Sequence, residues 1–132
     1  MIVVDASILA NALADAGADG ATARNRLANA GPLAAPDLID VEIVAVLRKC
    51  WIAGDLDDQR FSDAIEDLED LDLTRYPMLP LMRRAFELRA DVTAYDATYV
   101  ALAERLDCTL LTADRRLATA PTITCPVDVL HP

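Results

Sequence analysis

Short runs of apolar residues, too brief to be helices, set the limits on this fold. The clearest are Ile2-Val3-Val4 and Cys108-Thr109-Leu110-Leu111-Thr112, and Leu33-Ala34-Ala35, Leu73 to Tyr76 and Val127 to Leu130 are further candidates. Runs of this kind, nearly all apolar rather than alternating, read as strands buried on both faces of a sheet. Between them lie stretches with apolar residues at helical spacing. These are Ser7 to Ala14, Ala18 to Asn29 before the Gly31-Pro32 stop, Leu38 to Ala53, Asp57 to Asp70, Leu79 to Ala90 and Ala94 to Leu106, with a short helical turn after Asp114 to Ala118. Asp37 is the expected N-cap of the third stretch and Gly54 its stop, and Thr93 is the expected cap of the sixth. Strands alternating with helices give an α/β class built on a parallel sheet with both faces covered.

The chain has 132 residues, 54% of them apolar, which suits one compact domain over residues 1–132 with a core that needs no disulfide or metal staple. Its longest stretch without Asp, Glu, Lys or Arg is Leu117 to Val127, which contains two prolines, so no membrane-spanning helix is expected. The start, Met1-Ile2-Val3-Val4-Asp5, lacks the basic and apolar regions of a signal peptide, and a cytoplasmic location follows as the expectation. Cys50, Cys108 and Cys125 form no CxxC spacing and fit reduced, mostly buried thiols. The sole histidine, His131, is next to last, which leaves little room for His-assisted Ser or Cys catalysis.

Four acids do not look like surface. Asp5 and Asp114 lie just past the ends of apolar strands, where open α/β sheets place their ligand sites. Glu42 has Leu38, Ile39, Ala45 and Val46 three and four residues away, and Asp96 is flanked by Val92, Tyr99 and Val100. An isolated buried carboxylate is costly, and neither Lys49 nor the arginines obviously reach all four. A cluster of oxygen donors without His or thiolate selects a hard cation, Mg²⁺ or Mn²⁺, and such an ion supports phosphodiester hydrolysis. Taken singly, each acid has a plainer reading. Asp5, Asp96 and Asp114 could be helix or turn caps, and Glu42 could be an acid favoured by the helix dipole.

The segments Ile2-Val3-Val4-Asp5-Ala6-Ser7, Leu38-Ile39-Asp40-Val41-Glu42, Thr93 to Ala103 and Leu110-Leu111-Thr112-Ala113-Asp114 resemble, in order and spacing, the four acidic motifs of VapC-type PIN-domain toxins. The resemblance covers essentially the whole chain. It implies a three-layer α/β/α sandwich around a parallel sheet, and the endoribonuclease half of a type II toxin–antitoxin pair that inhibits growth. It further implies a VapB-like antitoxin as inhibitor, a homodimer, an RNA substrate cut with Mg²⁺ or Mn²⁺, and contact with DNA only through the antitoxin. Carried over, Asp5 and Asp96 would be the primary metal ligands, with Asp114 completing the site directly or through water and Glu42 as a further ligand or acting on the attacking water. Ser7 and Thr112 would support the acids, although each could equally be a local cap. Arg115 and Arg116 are placed to reach an RNA backbone, or are a solvated pair. A phosphoacceptor receiver domain is the alternative from another class, but it needs a lysine after a late strand, and a non-catalytic PIN-like binding module is a third reading.

The formal charge of −10 is uneven. Residues 55–72 hold nine acids and one base, leaving −2 for the rest of the chain. Phe61, Ala64, Ile65 and Leu68 give that segment a buried side, so a solvated acidic helix face is its expected role. Trp51 is expected in the core or a dimer contact, and six aromatics in all argue against recognition of single strands chiefly by stacking.

Overall fold

The computed structural model describes residues 1–131. Five strands, β1 (Ile2–Val4), β2 (Leu33–Pro36), β3 (Leu73–Tyr76), β4 (Thr109–Thr112) and β5 (Val127–Val129), form one sheet in the order β3-β2-β1-β4-β5. Every pairing is parallel, with Val3 opposite Ala34 on one side and Leu110 on the other. The helices are α1 (Ala6–Ala14), α2 (Ala18–Ala28), α3 (Leu38–Ile52), α4 (Asp58–Asp70), α5 (Met82–Glu87), α6 (Ala94–Leu106) and α7 (Arg115–Thr119).

The strand order itself assigns the helices to layers. From β1 the chain steps outward to β2 and β3, then returns past β1 to β4 and on to β5. Right-handed crossovers put helices of opposite stepping direction on opposite faces. Thus α1 to α4 pack on one another, while α5 packs on α6, which crosses β1, β2 and β4. The result is the expected three-layer sandwich. Its core is the central strands with their helices: Val3, Val4, Leu110 and Leu111 are fully buried, as are Ile39 and Ile43 of α3 and Val100 of α6.

Several local expectations need correction. The helix expected over Leu79 to Ala90 is a 3₁₀ turn at Leu79–Leu81 followed by α5, which stops at Glu87. Pro80 lies inside that turn, and the side chains still divide into buried Leu81, Ala85 and Leu88 and exposed Leu79 and Phe86. Asp37 precedes α3 but caps nothing with its side chain, because its backbone is already helical. Its N–H instead donates to the Tyr76 carbonyl at 2.8 Å. Trp51 is not core: it is 46% exposed, and its indole N–H donates to Asp58 at 2.7 Å. Gly54 does end α3, with φ of 84° in the left-handed region that favours glycine. Helix α4 has its buried side at Ala64 and Leu68 and turns its acids outward. All three cysteines are free and half-buried, and no helix among the described residues is long and apolar enough to cross a membrane.

Glu104 of α6 ties its helix to α5 and to the loop before β5. It accepts from Arg84 of α5 at 2.7 and 3.0 Å and from the N–H and hydroxyl of Thr124 at 2.8 and 2.7 Å. Burial pushes its carboxyl up, but the Arg84 and Thr124 hydrogen bonds outweigh that and hold it below its ordinary 4.5. A lowered carboxylate contributes stability that is present above its unfolded pKa and is lost as pH falls through its folded one. Glu104→Gln should therefore cost about 2 kcal/mol at pH 7 in urea unfolding. The difference from the parent should shrink below pH 4.5, and a gap independent of pH would contradict this account.

Candidate active site

The carboxyl ends of β1 and β4 are neighbours, and the chain leaves them in opposite directions, toward β2 and toward β5. In an open α/β sheet such a reversal leaves a crevice between the departing helices. Here it is a cleft of about 420 Å³ lined by Asp5, Ser7, Glu42, Val46, Lys49, Asp96, Tyr99, Asp114 and Arg116, among others. All four acids singled out in the sequence line it. A cleft of about 400 Å³ between α1, α3 and α4 has Asp15, Asp55 and Arg60 in its lining and none of the four.

Asp5 closes β1, its N–H donating to the Leu111 carbonyl at 3.1 Å, and its extended backbone makes it the N-cap of α1. One carboxylate oxygen, Oδ1, accepts from the N–H and hydroxyl of Ser7 at 2.8 and 2.7 Å. The other, Oδ2, accepts from the Thr112 hydroxyl at 2.6 Å. Thr112 is fully buried, and its oxygen in turn accepts from the Asp114 N–H at 3.1 Å. Both small hydroxyl residues thus hold Asp5, and Thr112 links it to the loop that carries Asp114.

Asp114 is the N-cap of α7, accepting from the Arg116 N–H at 2.9 Å, and Asp96 lies in the first turn of α6 behind the Thr93 cap. The cap and site readings are therefore not exclusive: Asp5 and Asp114 both cap a helix and line the cleft, whereas Asp96 donates its N–H to the Thr93 hydroxyl at 3.2 Å and does no capping with its carboxylate. Arg116 folds back onto Asp114, holding that carboxyl below its ordinary range by hydrogen bonding and by charge. Arg115 turns elsewhere, its guanidinium 3.2 Å from His131 Nδ1.

Two lining residues escaped the sequence reading. Tyr99, 4% exposed, donates its hydroxyl to Glu42 Oε1 at 2.7 Å, and Lys49 reaches the cleft from α3. Their spacing carries a signal, Tyr99 being three residues after Asp96 and Lys49 seven after Glu42 on the same helix faces. Burial raises the Glu42 carboxyl; the Tyr99 hydrogen bond opposes this, and the charges of Asp5 and Asp96 add to it. Asp96 is raised by burial and by the charges of Asp5 and Asp114. The Tyr99 phenol is raised by burial and by Glu42, so it stays a donor.

The lining supplies carboxylate oxygens and no imidazole or thiolate, a donor set that fits a hard divalent cation. In this conformation no three of the described acids converge closely enough to hold one ion.

The PIN-domain family model matches residues 2–122. Ribonuclease VapC9 of Mycobacterium tuberculosis is 42% identical over 130 residues, spanning 98% of this chain and 98% of VapC9. Ribonuclease VapC1 of the same organism is 39% identical over 130 residues, spanning 98% and 97%. The chain belongs to the PIN-domain family, among the VapC-type ribonuclease toxins. Solved structures share the fold. VapC20 of M. tuberculosis, described as a toxin that cleaves the sarcin-ricin loop, superposes with a TM-score of 0.71 at 18% identity, covering 96% of this chain and all of that one. VapBC2 from Rickettsia felis, solved on a DNA fragment of its promoter, gives 0.67 at 15% identity, covering 99% and 100%. The phosphoacceptor reading is not favoured by these relatives, and Lys49 lies within α3 rather than after a late strand.

A carboxylate raised in the fold is one whose charged form the fold disfavours, so replacing it by a neutral isostere should stabilise the metal-free protein. Asp96→Asn should raise stability at pH 7 by about 1 kcal/mol in chelator-treated buffer. The advantage should vanish as pH falls below 3.8, where both states bind the proton. Thermal unfolding measures it, and a less stable variant at pH 7 would show that the like charges do not oppose one another as described.

Proposed function

We propose that this VapC-type toxin hydrolyses RNA phosphodiester bonds with Mg²⁺ or Mn²⁺ held by Asp5, Asp96 and Asp114. The observation that carries the reading is the gathering of four acids from four separate segments into one cleft at the reversal of the sheet. Each like charge raises the cost of its neighbours, and a divalent cation removes that cost. When bound, the cation stabilises the negative charge that grows on the phosphate during displacement.

The chain's own groups do the rest. Ser7 and Thr112 fix Asp5 with both oxygens in defined directions. Glu42, held at Oε1 by Tyr99, keeps Oε2 free to orient the attacking water and take its proton, and its raised pKa favours that transfer. Water attacks phosphorus and gives its proton to Glu42, the P–O bond to the leaving strand breaks, and the departing oxygen takes a proton from solvent. Arg116 and Lys49 supply positive charge at the mouth of the cleft for the RNA backbone, whereas Arg115, turned toward His131, is less well placed.

The toxin belongs with a VapB-like antitoxin, which holds it inactive and makes any promoter contact. It works as a homodimer in the cytoplasm, over one PIN-like domain spanning residues 1–132.

Purified toxin freed of antitoxin should cleave RNA only with Mg²⁺ or Mn²⁺, and either ion should raise its melting temperature. Asp5→Ala and Asp96→Ala should abolish cleavage and growth inhibition. Full activity in either variant with unchanged metal dependence would overturn the site assignment. Sequencing the RNA ends produced on brief induction then identifies whether tRNA, ribosomal RNA or messenger RNA is cut.

A further inference from the structure

Arg116, two residues after Asp114, is tied to the cleft through both oxygens of that acid. Its guanidinium meets Asp114 side-on, Nε to Oδ1 at 3.1 Å and Nη2 to Oδ2 at 2.7 Å, while its backbone N–H donates to Oδ1. One residue thus occupies both oxygens of an acid that faces the cleft. Among the described residues the guanidinium has no other hydrogen-bonding partner, and the side chain is 86% exposed.

The other acids are held differently. Asp5 is fixed by the buried Thr112 hydroxyl and by Ser7, and Glu42 by the buried Tyr99. Because no three acids converge on one ion as they stand, at least one must turn. The Asp96 carboxylate accepts no hydrogen bond among the described residues. Among the acids that are held by a partner, Asp114 is therefore the one whose partner leaves most cheaply, since an exposed ion pair is worth little and its guanidinium has water to return to.

We propose that Arg116 is a built-in counter-ion of the cleft: it neutralises Asp114 in the resting toxin, yields that carboxylate when a divalent cation binds, and then turns its guanidinium to the RNA phosphate. A carboxylate oxygen cannot give the same lone pair to a guanidinium fork and to a cation, so the two compete. The planar fork that matches a carboxylate also matches a phosphate, which gives the released Arg116 its second partner. The inference rests on the cleft being the metal site, as proposed above.

Calorimetric titration of the full chain with Mn²⁺, in the absence of RNA, tests the competition. Arg116→Gln should bind Mn²⁺ about five-fold more tightly than the parent. Arg115→Gln removes the same charge one residue away without touching Asp114, and should change affinity less than about two-fold by screened long-range charge alone. Equal or weaker binding by Arg116→Gln, or an equal gain in Arg115→Gln, overturns the counter-ion role. Asp96→Asn separates the two levels of the argument. If it binds Mn²⁺ like the parent, the cleft is not the metal site; if it loses binding while Arg116→Gln changes nothing, only the counter-ion role fails. At saturating Mn²⁺, Arg116→Gln should raise KM for an RNA oligonucleotide about five-fold or more with a smaller change in kcat. An unchanged KM overturns the phosphate role.

Discussion

Everything at the functional end of this molecule depends on holding four carboxylates together against their mutual repulsion. The sheet creates the place: β1 and β4 are adjacent, and their crossovers run opposite ways, which opens a crevice at their carboxyl ends. The same geometry supplies part of the compensation. Helices α1, α6 and α7 all begin at the crevice, with Asp5 and Asp114 as N-caps and Asp96 in a first turn. Helix N-termini present unpaired N–H groups and favour negative charge. The compensation is incomplete, because Glu42 and Asp96 remain raised by burial and by their neighbours' charges. That residual cost favours positive charge at the cleft.

Capping and chemistry draw on the same property of aspartate. An N-cap requires an extended backbone and a short side chain whose oxygen can turn back to the helix. A residue that closes a parallel strand already has the extended backbone, and its carboxylate has a second oxygen to spare. Asp5 uses both: Oδ1 serves the cap, and Oδ2 faces the Thr112 hydroxyl. Asparagine at that position could cap equally well but would carry no charge into the cleft, and glutamate would reach too far to cap. For Asp5 and Asp114, the plain structural explanation and the proposed functional one thus draw on the same backbone and the same carboxylate.

The elements were legible where short-range patterns govern them. Ile2–Val4 and Thr109–Thr112 read as strands because no helix fits so short an apolar run, and α6 was bounded by its Thr93 cap and the change of pattern at Leu106. The region from Leu79 to Ala90 was less so, since apolar spacing cannot tell a 3₁₀ turn and a short helix from one continuous helix. Asp37 failed as a cap because capping depends on backbone angles, not on residue type alone. The four acids were found because they interrupt apolar stripes, and the strand-end position of two of them pointed to the edge of the sheet where the cleft lies. Tyr99, Lys49 and Glu104 were not found. Tyr99 and Lys49 share helix faces with Asp96 and Glu42, but that spacing does not name the residue each meets: the partner of Tyr99 lies 57 residues away and that of Glu104 lies 20 away.

The acidity of the chain illustrates the same distinction between composition and placement. Nine acids and one base fall within residues 55–72, most of which form α4, and none of these residues lines the acid cleft. Helix α4 packs on α1 and α3 through a narrow apolar side, so its charge is solvated and screened over about 8–10 Å at physiological ionic strength. An approaching phosphate experiences the nearer groups far more strongly. At the cleft these are four acids against Lys49 and Arg116, an excess of negative charge that a cation would offset. For the site proposed above, the electrostatics thus impose an order: positive charge enters the cleft before a phosphate is held there. A protein of net charge −10 can act on a polyanion under that condition, because the sign that matters is the local one with the cation in place.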